Sequence, residues 1–138
     1  EERNLNLKPV LEMRTKITSV REIEKGEHVG YGLTFQAQKK MRVATIPAGY
    51  YEGIDRRLSN KGFVYIGETP CNIIGRVSMN MASIDVSRVP KEDLTKPAVI
   101  ISANPKDKNS IASMARLAKT NHHEILIHIP AHLRRIVI

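Results

Sequence analysis

Short runs of β-branched and aromatic residues, cut repeatedly by glycine, proline and polar turn residues, occupy most of this chain and constrain its fold more than any other feature. Leu11, Met13 and Ile17 alternate with Glu12, Arg14 and Lys16, the period-two pattern of a half-buried strand. Glu24-Lys25-Gly26-Glu27 supplies a turn, and Val29 to Phe35 reads as a second extended segment in which Gly30 and Gly32 flank Tyr31. Arg42 to Ile46 has strand character and stops at Pro47, after which Gly49, Gly53 and Asp55-Arg56-Arg57 indicate a long surface loop. Phe63–Ile66, Cys71–Ile74 and Ala82–Val86 follow at short spacing, with Gly67, Pro70 and Gly75 as turn residues. Many short strands separated by turns predict a mostly β barrel or sandwich.

One stretch departs from that rhythm. From Ser110 to Lys119 the residues Ile111, Met114, Ala115 and Ala118 share one helical face, and Asn109 or Ser110 can cap the first free amides. The expectation is one short helix packed on the sheet. The tail returns to β-branched runs, so two further strands are expected at Glu124 to Ile129 and Leu133 to Ile138, on either side of Pro130.

A length of 138 residues suits one domain, 1–138, and the absence of an N-terminal methionine points to a soluble piece of a longer protein. No apolar run near the start has the length of a signal peptide or a membrane span, so no membrane partner is expected. Cys71 stands alone and cannot form an internal disulfide, which makes the cytoplasm the default compartment. Its surroundings in sequence suggest a half-buried strand position. The formal charge of +8 raises nucleic acid or an acidic ligand as a partner. The basic residues are scattered, however, and four tyrosines, two phenylalanines and no tryptophan give little for bases to stack on. A solvated basic surface accounts for the charge better.

The common cofactor and hydrolase signatures are absent: there is no Gly-x-Gly-x-x-Gly after a strand, no Gly-Lys-Ser/Thr loop and no Cys-x-x-Cys. His122, His123, His128 and His132 crowd the tail, but the adjacent pair would point to opposite faces of a strand and the other two are separated from it by an apolar run and Pro130, so no metal site is expected.

Consecutive blocks carry more information than any of these features. Leu7-Lys8-Pro9-Val10-Leu11, Val29-Gly30-Tyr31-Gly32-Leu33-Thr34-Phe35 and Ile46-Pro47-Ala48-Gly49-Tyr50-Tyr51-Glu52-Gly53 closely resemble the carboxy-terminal domain of alanine racemases. Arg56-Arg57-Leu58-Ser59-Asn60, Ile74-Gly75-Arg76-Val77-Ser78-Met79-Asn80, Asn109-Ser110-Ile111 and Glu124-Ile125-Leu126 extend the resemblance over nearly the whole chain. That family joins an amino-terminal α/β barrel, which holds pyridoxal 5'-phosphate on a lysine, to a mostly β, barrel-like Greek-key domain that reaches into the partner subunit's barrel. A barrel of that kind takes about 250 residues, so this chain is expected to be the second piece only, with the cofactor lysine elsewhere.

Racemisation needs a proton removed from one face of the α-carbon and one returned to the other, so two bases are required. The resemblance implies that a barrel lysine serves one face and that Tyr31 is the catalytic base for the other, acting on the L-isomer. A tyrosine's ordinary pKa near 10 requires cationic or hydrogen-bonding neighbours for that work, and flanking glycines let the phenol approach a ligand closely. The resemblance further implies that Met79 binds the substrate carboxylate through its backbone amide and that Tyr50 narrows the active-site entrance. Read from residue type alone, Tyr31, Met79, Tyr50 and Tyr51 would be packing residues.

Departures accompany the match. His123 stands where the family commonly has a tyrosine that binds the cofactor phosphate, and a histidine there can still donate a hydrogen bond. Asn80 stands at a usual aspartate, Arg134 near an expected proline, and Tyr51 at an often small residue. The implied whole is a cytoplasmic homodimer interconverting L- and D-alanine, or another small amino acid, for peptidoglycan precursors, with the isolated piece inactive and at most weakly associated. Two other readings stand beside it: a degenerate racemase-like module kept for dimerisation, and a basic β domain that binds nucleic acid.

Overall fold

The computed structural model describes residues 7–138. Its strands are β1 (Met13–Thr15), β2 (Ser19–Ile23), β3 (His28–Val29), β4 (Phe35–Gln36), β5 (Met41–Ile46), β6 (Phe63–Ile66), β7 (Thr69–Ile74), β8 (Ala82–Asp85) and β9 (Ala98–Ile101). The helices are α1 (Ile111–Ala118) and α2 (His122–Ile127).

Seven strands form one sheet in the order β1-β9-β6-β7-β8-β5-β2, and β3 and β4 pair with each other. Every pairing is antiparallel. β6, β7 and β8 pair in succession and β9 returns to lie beside β6, which is the spatial order of a Greek key. The sheet curls about β7, whose residues Thr69–Asn72 pair with β6 while Ile73 and Ile74 pair with β8. The expected mostly β, barrel-like Greek-key domain is therefore the fold observed, as a curled half-barrel.

Alternation explains which side is filled. Val64 and Ile66 of β6, Cys71 and Ile73 of β7, Ala82 and Ile84 of β8, and Ala98, Ile100 and Ile101 of β9 point into one buried cluster. α1 closes that cluster with Met114, Ala115 and Ala118, and α2 adds Ile125. Ser110 caps α1 by accepting the Ser113 amide, and Lys119 ends it in the left-handed conformation at φ +56°, so this helix lies where its periodicity predicts it. Fully buried Asn109 donates its side-chain amide to the carbonyls of Val99 and Ile100, fastening the helix entry to β9. Cys71 is buried rather than half-buried, and desolvation pushes its thiol up to about 12.

Four expectations change. There are two short helices, not one, because His122–Ile127 is helical where a strand is expected: Asn121 accepts the Glu124 amide at its start, and Ile125 is buried beside α1. Tertiary packing and a good cap override the β preference of a run such as Ile-Leu-Ile. Leu133 to Ile138 forms no strand, and Ile136, Val137 and Ile138 are exposed. Val29 to Phe35 is not one extended segment: it doubles back between β3 and β4, with Gly30, Gly32 and Leu33 at positive φ. The loop after Pro47 contains two short 3₁₀ turns, Tyr50–Glu52 and Arg56–Leu58, and buries Ile54 and Leu58 under the sheet.

Candidate active site

Three loops converge at one end of the sheet: the β3–β4 turn, residues 47–62, and the β7–β8 loop, residues 75–81. Glycines set their contact. A Cβ on Gly75 would lie 2.6 Å from the Val29 carbonyl oxygen, and one on Gly30 would lie 2.9 Å from the Gly75 Cα, so the two backbones touch where no side chain fits. From that contact Tyr31 bridges to Arg76 in antiparallel fashion. The Tyr31 side chain projects outward, and the residue is 79% exposed. Its hydroxyl has no hydrogen-bond partner among the described residues. The Arg76 guanidinium lies against the same turn, its carbon 3.8 Å from where a Cβ on Gly32 would sit.

Met79 occupies the tip of the β7–β8 loop. The Tyr50 amide donates to the Ser78 carbonyl at 3.0 Å, and the Tyr51 amide donates to the Met79 carbonyl at 2.9 Å. A Cβ on Gly49 would overlap the Ser78 carbonyl, so glycine is again what permits the approach. Glu52 completes the join: its carboxylate accepts the Gly49 amide at 2.8 Å and the Asn80 side-chain amide at 2.8 Å. The Met79 N–H itself has no acceptor among the described residues. Tyr31, Tyr50 and Met79 are thus gathered around residues 75–81, and both tyrosines and the methionine are exposed.

His123 sits apart. It is exposed on α2 and lines a shallow depression with Arg116, Thr120, Asn121 and His122, and no hydrogen bond among the described residues joins it to the Tyr31 turn. Ala112 and Ala115 line it as well, and two of its donors are already engaged, Thr120 with Glu124 and Arg116 with Ser113. α2 connects to the Tyr50 loop through charge. The Arg57 guanidinium donates to Asp55 at 2.6 Å and to Glu124 at 2.8 Å, and Thr120 Oγ1 donates to Glu124 as well. The Arg57 hydrogen bond holds the Asp55 carboxyl below its ordinary range, against the opposing effect of burial, and Arg57 itself is raised.

Asp55, Glu124 and His128 bring one ligand atom each within 4.8 Å of one another. His128 is the one member of the crowded tail histidines to join such a group among the described residues. Arg57 already sits on both carboxylates, so the cation this cluster holds is the chain's own guanidinium. The arginine bridge was not singled out from the sequence. The run Asp55-Arg56-Arg57 was visible, but its partner Glu124 lies 67 positions away. Tyr51 also finds a partner there, stacking on His132 with ring centroids 5.3 Å apart.

An exposed tyrosine between glycines, a backbone amide without an acceptor among the described residues and a second exposed tyrosine lie on adjoining loops of a mostly β domain. Comparison with known proteins then gives the family. The pattern of the family "Alanine racemase, C-terminal domain" matches residues 10–137, and the chain belongs to that family. It is 33% identical to the alanine racemase of Methylacidiphilum infernorum over 129 residues, covering 94% of this chain and 33% of that protein. It is 40% identical to that of Brucella ovis over 118 residues, covering 86% and 29%. Among solved structures, alanine racemase from Pseudomonas aeruginosa superposes with a TM-score of 0.84 at 32% identity, covering 94% of this chain and 35% of that one. The Bartonella henselae enzyme, with covalently bound pyridoxal phosphate, superposes at 0.80 with 28% identity, covering 92% and 34%. The chain therefore spans about a third of the length of the relatives it matches. Among the described residues no helix is long and apolar enough to cross a membrane.

Proposed function

We propose that residues 1–138 form the carboxy-terminal domain of a cytoplasmic, homodimeric alanine racemase and supply Tyr31 as the base for one face of the substrate. The observation that carries this reading is a solvent-facing tyrosine whose turn is fixed by glycine-to-glycine backbone contact and whose hydroxyl is left free. When bound, pyridoxal 5'-phosphate supplies the electron sink that acidifies the α-proton of an amino acid. The lysine that carries it belongs to the amino-terminal barrel, and His123, with the donors around it, contacts its phosphate.

The residues of this chain then divide the work. The Tyr31 oxygen takes the α-proton from L-alanine and delivers one in the reverse direction. The Met79 amide holds the substrate carboxylate, a role for which a main-chain N–H without an internal acceptor is suited. Tyr50, held to Ser78 through its own amide, narrows the entrance. Without a barrel the site lacks its second base and its cofactor anchor, so the isolated domain is inactive.

The test is alanine racemisation by this chain assembled with its barrel and pyridoxal phosphate. The assembly is expected to be active, the isolated chain inactive, and Tyr31→Phe slower by roughly 10²–10⁴-fold, the usual contribution of a positioned base. Full activity with Tyr31→Phe would remove the tyrosine from the chemistry. An assembled but inactive complex would favour a module kept for dimerisation.

A further inference from the structure

Among the described residues Asn60 is one of three non-glycine residues at positive φ, at +60°. Asparagine is among the few side chains that tolerate that conformation, so its presence is locally explained, but both ends of its amide are also engaged. Its Oδ1 accepts the Gly75 amide at 2.7 Å, and its Nδ2 donates to the Thr34 hydroxyl at 3.2 Å. The preceding residue, Ser59, accepts the Val77 amide on its Oγ at 3.0 Å. Ser59 and Asn60 therefore take the two amides on either side of Arg76, the residue that bridges Tyr31. Asn60 alone reaches across to the Tyr31 turn itself.

We propose that Asn60 is a positioning residue for the Tyr31 base, tying the β3–β4 turn to the end of β7 and so fixing where the phenol oxygen stands. The inference rests on the reading of Tyr31 as a base. The β3–β4 ladder comprises only two residue pairs, His28 with Gln36 and Val29 with Phe35, and cannot by itself hold the turn at a fixed angle. The glycine contact and the single Tyr31–Arg76 bridge hold the turn along one line beside Gly75 and Arg76, about which it can still hinge. A side-chain amide bonded on both sides of the hinge removes that rotation. Because the phenol extends outward from the turn, a small rotation is enlarged at its oxygen, and proton transfer is sensitive to displacements of an ångström or less.

The experiment uses the two-domain racemase with Asn60→Gly, Asn60→Asp, Thr34→Val and, as reference, Tyr31→Phe. Asn60→Gly removes the amide while easing the left-handed backbone, so strain and contact are separated. The readouts are kcat and the primary α-deuterium isotope effect measured separately on L- and D-alanine. A misplaced base makes its own proton transfer the slow step. The isotope effect then rises for the L-isomer, whose C–H bond Tyr31 breaks, and falls toward unity for the D-isomer, whose C–H bond the other base breaks.

Asn60→Gly is expected to lower kcat about tenfold with that opposite movement of the two isotope effects. Thr34→Val is expected to move each isotope effect as Asn60→Gly does but by less, and Asn60→Asp, whose carboxylate can accept both the Gly75 amide and the Thr34 hydroxyl proton, to restore most of the rate. A general loss of structure would lower kcat with both isotope effects unmoved, and that result overturns the proposal, as does unchanged kcat in Asn60→Gly. If Tyr31→Phe itself leaves the isotope effects untouched, the base assignment fails. If Tyr31→Phe moves them and Asn60→Gly does not, only the positioning role fails.

Discussion

The Tyr31 turn and helix α2 each present a residue assigned to the site, yet they are held in opposite ways. The turn is fixed by backbone contact: Gly30 against Gly75, a bridge from Tyr31 to Arg76, and the Asn60 amide across the gap. α2 is fixed to the Tyr50 loop by charge, through Asp55, Arg57 and Glu124, with Ile125 as its buried anchor. Steric contact of the first kind is insensitive to pH and salt. The second kind depends on two carboxylates remaining ionised. The base proposed at Tyr31, whose placement matters to about an ångström, sits on the rigid element, whereas His123, proposed for the phosphate, sits on the adjustable one.

The largest effect is expected where the rigid side of this comparison is broken. Gly75→Ala places a Cβ 2.6 Å from the Val29 oxygen at a backbone φ of +73°, so both the contact and the conformation are lost. The expected cost is about 2–4 kcal/mol of unfolding free energy, with racemisation by the assembled enzyme abolished. Urea titration of the chain measures the first. A cost below about 1 kcal/mol would mean that the turn is not seated on Gly75 as described.

Next comes the charged side. Arg57→Met leaves Asp55, whose side chain is 6% exposed, without its cation. Because the guanidinium is itself partly in solvent, the expected loss is about 1–2 kcal/mol rather than that of a fully buried pair. The sign of the pH dependence follows from the direction of the Asp55 shift. Its folded pKa lies below the unfolded value of about 4, so its contribution is complete above that value and disappears as pH falls through the lowered folded one. Stability measured from pH 6 downward is therefore expected to fall more steeply in the native chain than in Arg57→Met. Parallel curves would show that the Asp55–Arg57 pair does not contribute to the stability of the fold.

The same contrast explains what was legible in the sequence. The β rhythm, the α1 cap at Ser110 and the loop that carries Tyr50 are local signals that the structure follows, whereas the segment around Tyr31, extended by its sequence, doubles back as a turn. β2 went unread because four of its five residues are exposed, leaving no alternation to find. β9 went unread because Ala98–Ile101 is apolar on both faces and has no period. In α2 the run Ile125-Leu126-Ile127 favours a strand, but Asn121 with Glu124 three positions on is a helix-start signature, and it outweighs that run. The Arg57–Glu124 bridge and the Asn60 clamp join positions far apart in the chain, and no local pattern reports them.

The smallest expected effect probes the join between Tyr50 and Met79, where backbone contact and charge meet. Asn80 donates to Glu52 while Glu52 also accepts the Gly49 amide, so an uncharged amide at position 80 fits a carboxylate opposite it. Asn80→Asp, the residue usual in the family, would set two carboxylates against each other. In this exposed setting the expected cost is about 0.5–1 kcal/mol at pH 7. Like charges raise each other's folded pKa, so the penalty is present above the unfolded carboxylate range and is relieved as pH falls and one group takes a proton. The difference between variant and native chain should therefore shrink on lowering the pH toward 4, opposite in sense to the Asp55–Arg57 effect. A difference that does not change with pH would mean that Glu52 swings away, and that the paired amides of Tyr50 and Tyr51 alone hold the Met79 loop.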